Sequence, residues 1–224
     1  GSLDVNAEGG ELTVTGTNTY TGATKISAGT LSVSSLGNGG SNSAIGASDS
    51  SAANLEFAGG ALKYTGTGAT VNRNFTIAGG AASTIDVSQS GTTLTLSGAS
   101  SGGTGGLEKA GAGKLVLSGN HSYSGSTLVS GGTLDISGDM TNTSLVNVYG
   151  GATLNITSTG SLTTGADGTF AIAAGQNSAG TVNVDGELTI GNANGAVYIG
   201  GKLHNTGSSG TGTLNINDGG VVDD

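Results

Sequence analysis

The sequence predicts an all-β chain wound as a single-stranded, right-handed parallel β-helix, a solenoid. Three observations predict it. A short element, glycine-x-apolar-x-apolar, recurs along the whole chain. Two stretches repeat each other without a gap at a constant offset of 103 residues. The composition is that of strands and turns: 46 glycines in 224 residues, no proline, no cysteine, no tryptophan and only 9% charged residues. Glycine is roughly three times its usual share of about 7%. Abundant Thr, Ser, Asn and β-branched residues favour short strands over helices. A disordered Gly/Ser-rich chain would share this composition, but here the apolar residues alternate in phase.

The recurring element occupies residues 10–14, 29–33, 60–64, 113–117, 132–136, 168–172, 180–184, 186–190, 195–199 and 212–216. Side chains alternate along a strand, so the two apolar residues face one way and the middle residue the other. Thr13, Ser32, Lys63, Asp135, Asn183, Thr189 and Asn215 hold middle positions and suit solvent; Val116, Ala171 and Tyr198 are apolar exceptions. Gly10 and Gly29 are 19 residues apart, as are Gly113 and Gly132. A coil of about twenty residues accommodates three short strands and their corners. Glycine suits the corners because it reaches positive φ without steric cost. No coil can bury its own apolar face, so stacking must bury a continuous inner column. With rungs about 4.8 Å apart, some ten coils would make a rod of about 50 Å.

The repeat unit is clearest in residues 106–137, GLEKAGAGKLVLSGNHSYSGSTLVSGGTLDIS. Residues 16–33 align with 119–136: Tyr20 falls on Tyr123, Gly22 on Gly125, Thr24 on Thr127, Ser27 on Ser130, and Gly29-Thr30-Leu31 on Gly132-Thr133-Leu134. Internal repeats of this kind decide the fold and are sought first. Leu12 and Leu115, Leu31 and Leu134, and Val33 and Ile136 are expected to face the core as equivalent pairs. Residues 37–53 break the rhythm as a small-residue excursion, and residues 97–106 do so more briefly.

This wording resembles the autotransporter-associated β-strand repeat of bacterial autotransporter passengers. Gly106, Leu107, Lys109, Gly111, Gly113, Leu115, Leu117, Gly119, Tyr123, Gly125, Thr127 and Gly132-Thr133-Leu134 carry the resemblance. His121 departs from it, standing where the family usually has asparagine; Asn18 keeps that residue in the first copy. Gly59 to Tyr64 and Asn72 to Ile77 resemble the spacer strands of the same family. From about Met140 the wording shifts to strands ending in Gly-Asn or Asp-Gly turns, similar to a second repeat type of such secreted proteins. The resulting plan is a tag-cleavage remnant at residues 1–2, a β-helix with two repeat copies over 3–139, and a continuation of the same β-helix over 140–224. The resemblance implies a fragment of a passenger exported to the bacterial surface, with an outer-membrane β-barrel C-terminal to it in the full-length protein.

The net charge is −9 with six basic residues, Lys25, Lys63, Arg73, Lys109, Lys114 and Lys202, which form no patch in sequence. Nucleic-acid binding draws on clustered Lys and Arg and is not expected. No run approaches the ~18 apolar residues of a membrane-spanning helix. The absence of cysteine removes disulfide stapling, which suits passage of an unfolded passenger.

The residues offer little chemistry. A nucleophilic site needs serine beside a histidine base and a carboxylate; the histidines are His121, at a turn position, and His204, beside Lys202 and Asn205. No catalytic, cofactor-binding or metal-ligating residue is therefore assigned. Calcium takes six to eight oxygens, yet Asp167, Asp185, Glu187, Asp218, Asp223 and Asp224 match no calcium-loop pattern and are expected to be solvated turn carboxylates. A polysaccharide lyase would need clustered carboxylates and a basic residue, and Arg73 is the chain's arginine. The expectation is an adhesin or structural stalk that meets a host-surface or matrix ligand or a second passenger, with Asn155, Asn183 and Asn215 as outward rungs. The alternative is a glycan-binding or glycan-cleaving β-helix. Ice binding ranks last, because the outward positions mix Thr, Lys, Asp and Asn.

Overall fold

Successive strands of this chain lie side by side in parallel, each bonded to the strand one coil before and one coil after. The computed structural model describes residues 1–80, 82–173, 178–191, 196–200 and 210–223. Every strand pairing among them is parallel, and none of them lies in an α-helix. The glycine-led strands of the sequence are present. Residue 195 and Asp224 lie outside the described residues.

Tracing the pairings gives three walls. Wall one stacks residues 11–14, 30–33, 61–64, 83–87, 107–110, 127–129, 145–148, 169–172 and 196–199. Wall two is the seven-stranded sheet: Ala69–Val71, Thr93–Leu96, Lys114–Leu117, Thr133–Ile136, Ala152–Ile156, Ala179–Val184 and Thr211–Ile216. Wall three stacks residues 3–5, 24–26, Leu55–Phe57, Phe75–Ile77, Ser100–Ser101, His121 as a single-residue bridge, 139–141, 161–163, Glu187–Thr189 and Val221–Asp223. Walls one and three form one 14-stranded sheet because Leu3–Val14, Thr24–Val33, Asp139–Val148 and Ser161–Ile172 each run through the corner between them.

Apolar side chains meet their counterparts one coil away. On wall two Leu94, Leu115, Leu134, Leu154 and Val182 form one inward column; Leu96, Leu117, Ile136, Ile156 and Val184 form the next, and all ten are buried. The coil length is looser than the expected twenty residues. Rung neighbours Leu115 and Leu134 are 19 residues apart, whereas Val182 and Leu214 are 32 apart. The wall-two strands keep register despite this difference.

The two repeat copies match in local detail. Tyr20 and Tyr123 each share a hydrogen bond of 2.8 Å with the threonine four residues on, Thr24 and Thr127. Gly29 and Gly132 both hold positive φ, 75° and 58°. A Cβ on either would collide with a backbone carbonyl of the preceding coil, that of Ala7 or of Gly113. Yet the copies do not occupy the same walls. Residues 24–26 belong to wall three and 30–33 to wall one, while their equivalents 127–129 and 133–136 belong to walls one and two. The repeat is thus a corner-and-strand unit that can start on any wall. The first two coils have no wall-two strand. The segment around Asn18 and the excursion of residues 37–53 take that place, joined by an antiparallel Asn18–Ser43 bridge.

Two expectations need correction. Leu12, expected in the core with Leu115, pairs with Leu31 but is 41% exposed, on a strand that is paired on one side among the described residues. Ser32, expected in solvent, is buried; the Lys63–Glu11 ion pair crosses the strand beside it.

Leu134→Ala is expected to cost about 2–5 kcal/mol in chemical denaturation, and Gly132→Ala about 1–3 kcal/mol through backbone strain. Leu12→Ala and Thr19→Ala, both exposed, should stay within about 1 kcal/mol. Equal costs for Leu134→Ala and Thr19→Ala would refute the register.

Candidate functional site

The outer face of wall two is the most regular surface of the rod. Register places Thr93, Lys114, Thr133, Thr153, Thr181 and Thr213 in one outward column, and Thr95, Val116, Asp135, Asn155, Asn183 and Asn215 in a second. The expected asparagine rungs do face outward, but they are not free hydrogen-bonders. Asn215 donates to the side-chain oxygen of Asn183 (2.7 Å), Asn183 to Asn155 (2.8 Å), and Asn155 to the carboxylate of Asp135 (2.6 Å). Lys114 closes the series with an ion pair to Asp135 at 2.7 Å. Each interior amide thereby commits one N–H and one lone pair to its neighbours. Its second N–H and the threonine hydroxyls alongside remain to meet solvent or a partner.

Wall three carries a cleft of about 420 Å³ lined by Asn74, Ser100, Ser101, Asn120, Ser122 and Asp139 among others, with His121 at its floor. The sequence placed His121 at a turn position; it is a buried single-residue bridge of wall three, 1% exposed. It stands in the inward column Phe75, Ser100, His121, Met140, Leu162. Its Nδ1 lies 3.1 Å from Ser100 Oγ, and its Nε2 has no partner. Burial lowers its pKa to about 4. The Ser100–His121 pair lacks the carboxylate that orients a catalytic histidine, and the Ser100 hydroxyl is itself buried. His204, Lys202 and Asn205 lie outside the described residues.

Two buried cations went unrecognised in the sequence. Lys109 takes a place in the inward column of wall one, between Ile85 and Val129. Its Nζ donates to the carbonyls of Ala110, Gly111 and Gly131 at 2.7–3.0 Å. Burial lowers its pKa to about 8, with Asp86 opposing; the three carbonyls also favour the ammonium, which alone supplies three donors. Arg73 was read as spacer wording. Its Nε and two terminal nitrogens donate to the carbonyls of Gly37, Asn38, Ser41, Gly46 and Ser48 and to Ser48 Oγ. The excursion is therefore wrapped around one guanidinium, with Ala44 and Ile45 buried beneath. Asn72 N–H donates to the Asn38 side-chain oxygen, and the Asn72 side-chain oxygen accepts from Gly39 N–H, which fastens the excursion to the corner at residue 72. The only signal for this in sequence was one arginine among small residues, in a chain with few charges.

The acidic turns form no cage. Asp139, Asp185 and Glu187 border a second cleft of about 450 Å³, where Asp139 accepts from Ser161 and Asp185 from Asn217. Among the described residues no group of three or more His, Asp or Glu side chains is placed to hold a metal ion.

With this geometry in view, the comparisons are decisive about kinship. The chain matches the family described as Passenger-associated-transport-repeat over residues 7–33 and 107–136, the two copies found by internal alignment. This chain carries the repeats of an autotransporter passenger. The passenger sequence is also 40% identical over 195 residues to the Adhesin BmaC autotransporter of Brucella suis biovar 1 (strain 1330). The match covers 82% of this chain and 6% of that protein, so the chain spans a small part of the curated relative. No solved structure matches the passenger chain.

Lys109→Met keeps the length but leaves three carbonyls without their donor. It should lower stability by at least about 2 kcal/mol, measured by urea denaturation. Arg73→Ala should expose residues 37–53 to limited proteolysis while the far-UV circular dichroism keeps its β signature; an unchanged cleavage pattern would refute the anchoring role.

Proposed function

We propose that this chain is a stalk segment of a surface-displayed adhesin, acting by contact and without catalytic turnover. The observation that carries the reading is its 40% identity, over 82% of its length, to a protein named an adhesin autotransporter. The passenger repeats support export through the outer membrane and exposure at the cell surface, with a β-barrel expected elsewhere in the full-length protein. The architecture suits the role. A stack bonded coil to coil is a stiff rod, and a stiff rod repeats one outward face many times. Weak contacts repeated along such a face reinforce one another, because each later contact is intramolecular.

Wall two is the contact face of this reading. Its Thr and Asn columns are uncharged apart from the internally paired Lys114 and Asp135, and the asparagine ladder holds the side chains at one repeat. Its partner is a host-surface or matrix ligand or the same wall of a second passenger. The reading without turnover is supported by the relative's name as an adhesin and by the burial of His121 and Ser100.

The full passenger, displayed on cells, should promote aggregation or binding to host cells and matrix. Paired changes on wall two, Thr153→Lys with Thr181→Lys, should reduce that adhesion several-fold without altering the fold. Release of sugar or peptide fragments by the purified chain would overturn the non-catalytic reading. Full adhesion by the wall-two variant would move the contact face elsewhere.

A further inference from the structure

Wall three narrows to a single bridged residue at His121. The rungs on either side are held by isolated bridges, Ser100 to His121 and His121 to Met140, instead of by a strand. His121 N–H donates to the Asp139 carbonyl at 2.7 Å, and Thr141 N–H returns to the His121 carbonyl at 2.8 Å. The cleft lined by Asn74, Ser100, His121 and Asp139 opens at this rung.

Inside, the imidazole is buried among groups that offer a cation no counter-charge. Phe75 lies with its ring centroid 5.6 Å away, Met140 is the next residue in the column, and Ser100 Oγ meets Nδ1. The neutral ring is best accommodated with the proton on Nδ1, donating to Ser100, and a bare lone pair on Nε2. Adding a proton to Nε2 creates a donor, and a positive charge, where nothing accepts it. The titratable groups around the ring offer no relief. Tyr123 is buried and bonded to Thr127. The Asp139 carboxylate lines the cleft and is engaged by Ser161. Phe75–Ile77 brings no charge, and the other buried charge of this coil, Lys109, has the same sign. The first repeat copy avoids the problem with Asn18, whose amide reaches the Ala44 carbonyl at 2.9 Å.

We propose that the His121 rung is an acid-operated release point, at which protonation of the ring frees wall three between Ser100 and Met140 while walls one and two stay paired. The neighbouring strands of those walls, Leu107–Ala110 with Thr127–Val129 and Lys114–Leu117 with Thr133–Ile136, carry their own ladders, so the release is local. In an exported passenger this would widen the existing cleft and expose the Phe75 and Met140 side chains only in an acidic setting.

The sign follows from linkage. The folded pKa, about 4, lies below the ordinary 6.5, so the closed rung is fully stable above about pH 6.5 and loses stability as the pH falls toward 4. The test is hydrogen exchange on the intact chain, corrected for the intrinsic pH dependence of amide exchange. Between about pH 7 and pH 4.5 the opening equilibrium of residues 99–101, 120–122 and 139–141 should rise on the order of fifty-fold, with little change in 114–117 and 133–136. His121→Asn should abolish the rise, and Asp139→Asn should keep it. Should His121→Asn fail to fold, the wild-type ring proton resonances decide: a ring that titrates near 6.5 without any rise in exchange overturns the proposal. An equal acid response in the His121→Asn chain, or a uniform response across all three walls, also overturns it.

Discussion

The structure depends on one constraint: a strand in this chain finds its hydrogen bonds and its apolar neighbours only in the next coil. Parallel ladders run from coil to coil in all three walls, and the inward residues stack in the same direction. A single coil has no core, so its stability comes from its neighbours. The same constraint explains the exposed apolar residues. Leu12, Ile216 and Val222 keep their column positions on rungs that are paired on one side among the described residues. It also explains the corner glycines, since backbone of one coil passes directly over backbone of the last and leaves no room for a Cβ at Gly29 or Gly132.

A narrow, stacked interior leaves little freedom for polar groups, and three of them show graded solutions. Arg73 has all its N–H groups engaged and organises the loop that fills the missing wall-two positions. Lys109 sits among Ile85 and Val129 but turns its ammonium to the corner, where three carbonyls receive it. His121 is only half satisfied, with Ser100 at one nitrogen and nothing at the other. In a low-dielectric interior a satisfied polar group fixes the structure and an unsatisfied one is costly. Rigidity and acid sensitivity therefore come from the same kind of substitution into an apolar column, differing only in how many partners the corner supplies.

For an adhesive rod the outward columns matter as much as the inward ones. The asparagine ladder of wall two uses part of its hydrogen-bonding capacity internally, which holds the side chains in place and costs them some reach toward a partner. The threonine column beside it makes no side-chain hydrogen bond at Thr133, Thr153, Thr181 or Thr213 among the described residues and is the more available half of the face. A regular, nearly uncharged surface on a protein of net charge −9 favours contact with neutral polar partners over nucleic acid.

The sequence by itself determined the all-β class, the glycine-led strands and the inward facing of Leu134, Leu31 and Ile136, because a period of two and a glycine at each corner are local properties that need no knowledge of the rest of the chain. It also determined that Tyr20 and Tyr123 are equivalent, since identical local wording makes the same four-residue bond to Thr24 and Thr127. Only the tertiary structure decided which wall each copy occupies, because that depends on the lengths of the corners accumulated between residues 33 and 107. It alone decided the fates of Leu12, Ser32, Arg73, Lys109 and His121. Burial in a solenoid is set by the coil above and the coil below, and a residue's own strand carries no record of whether those coils cover it.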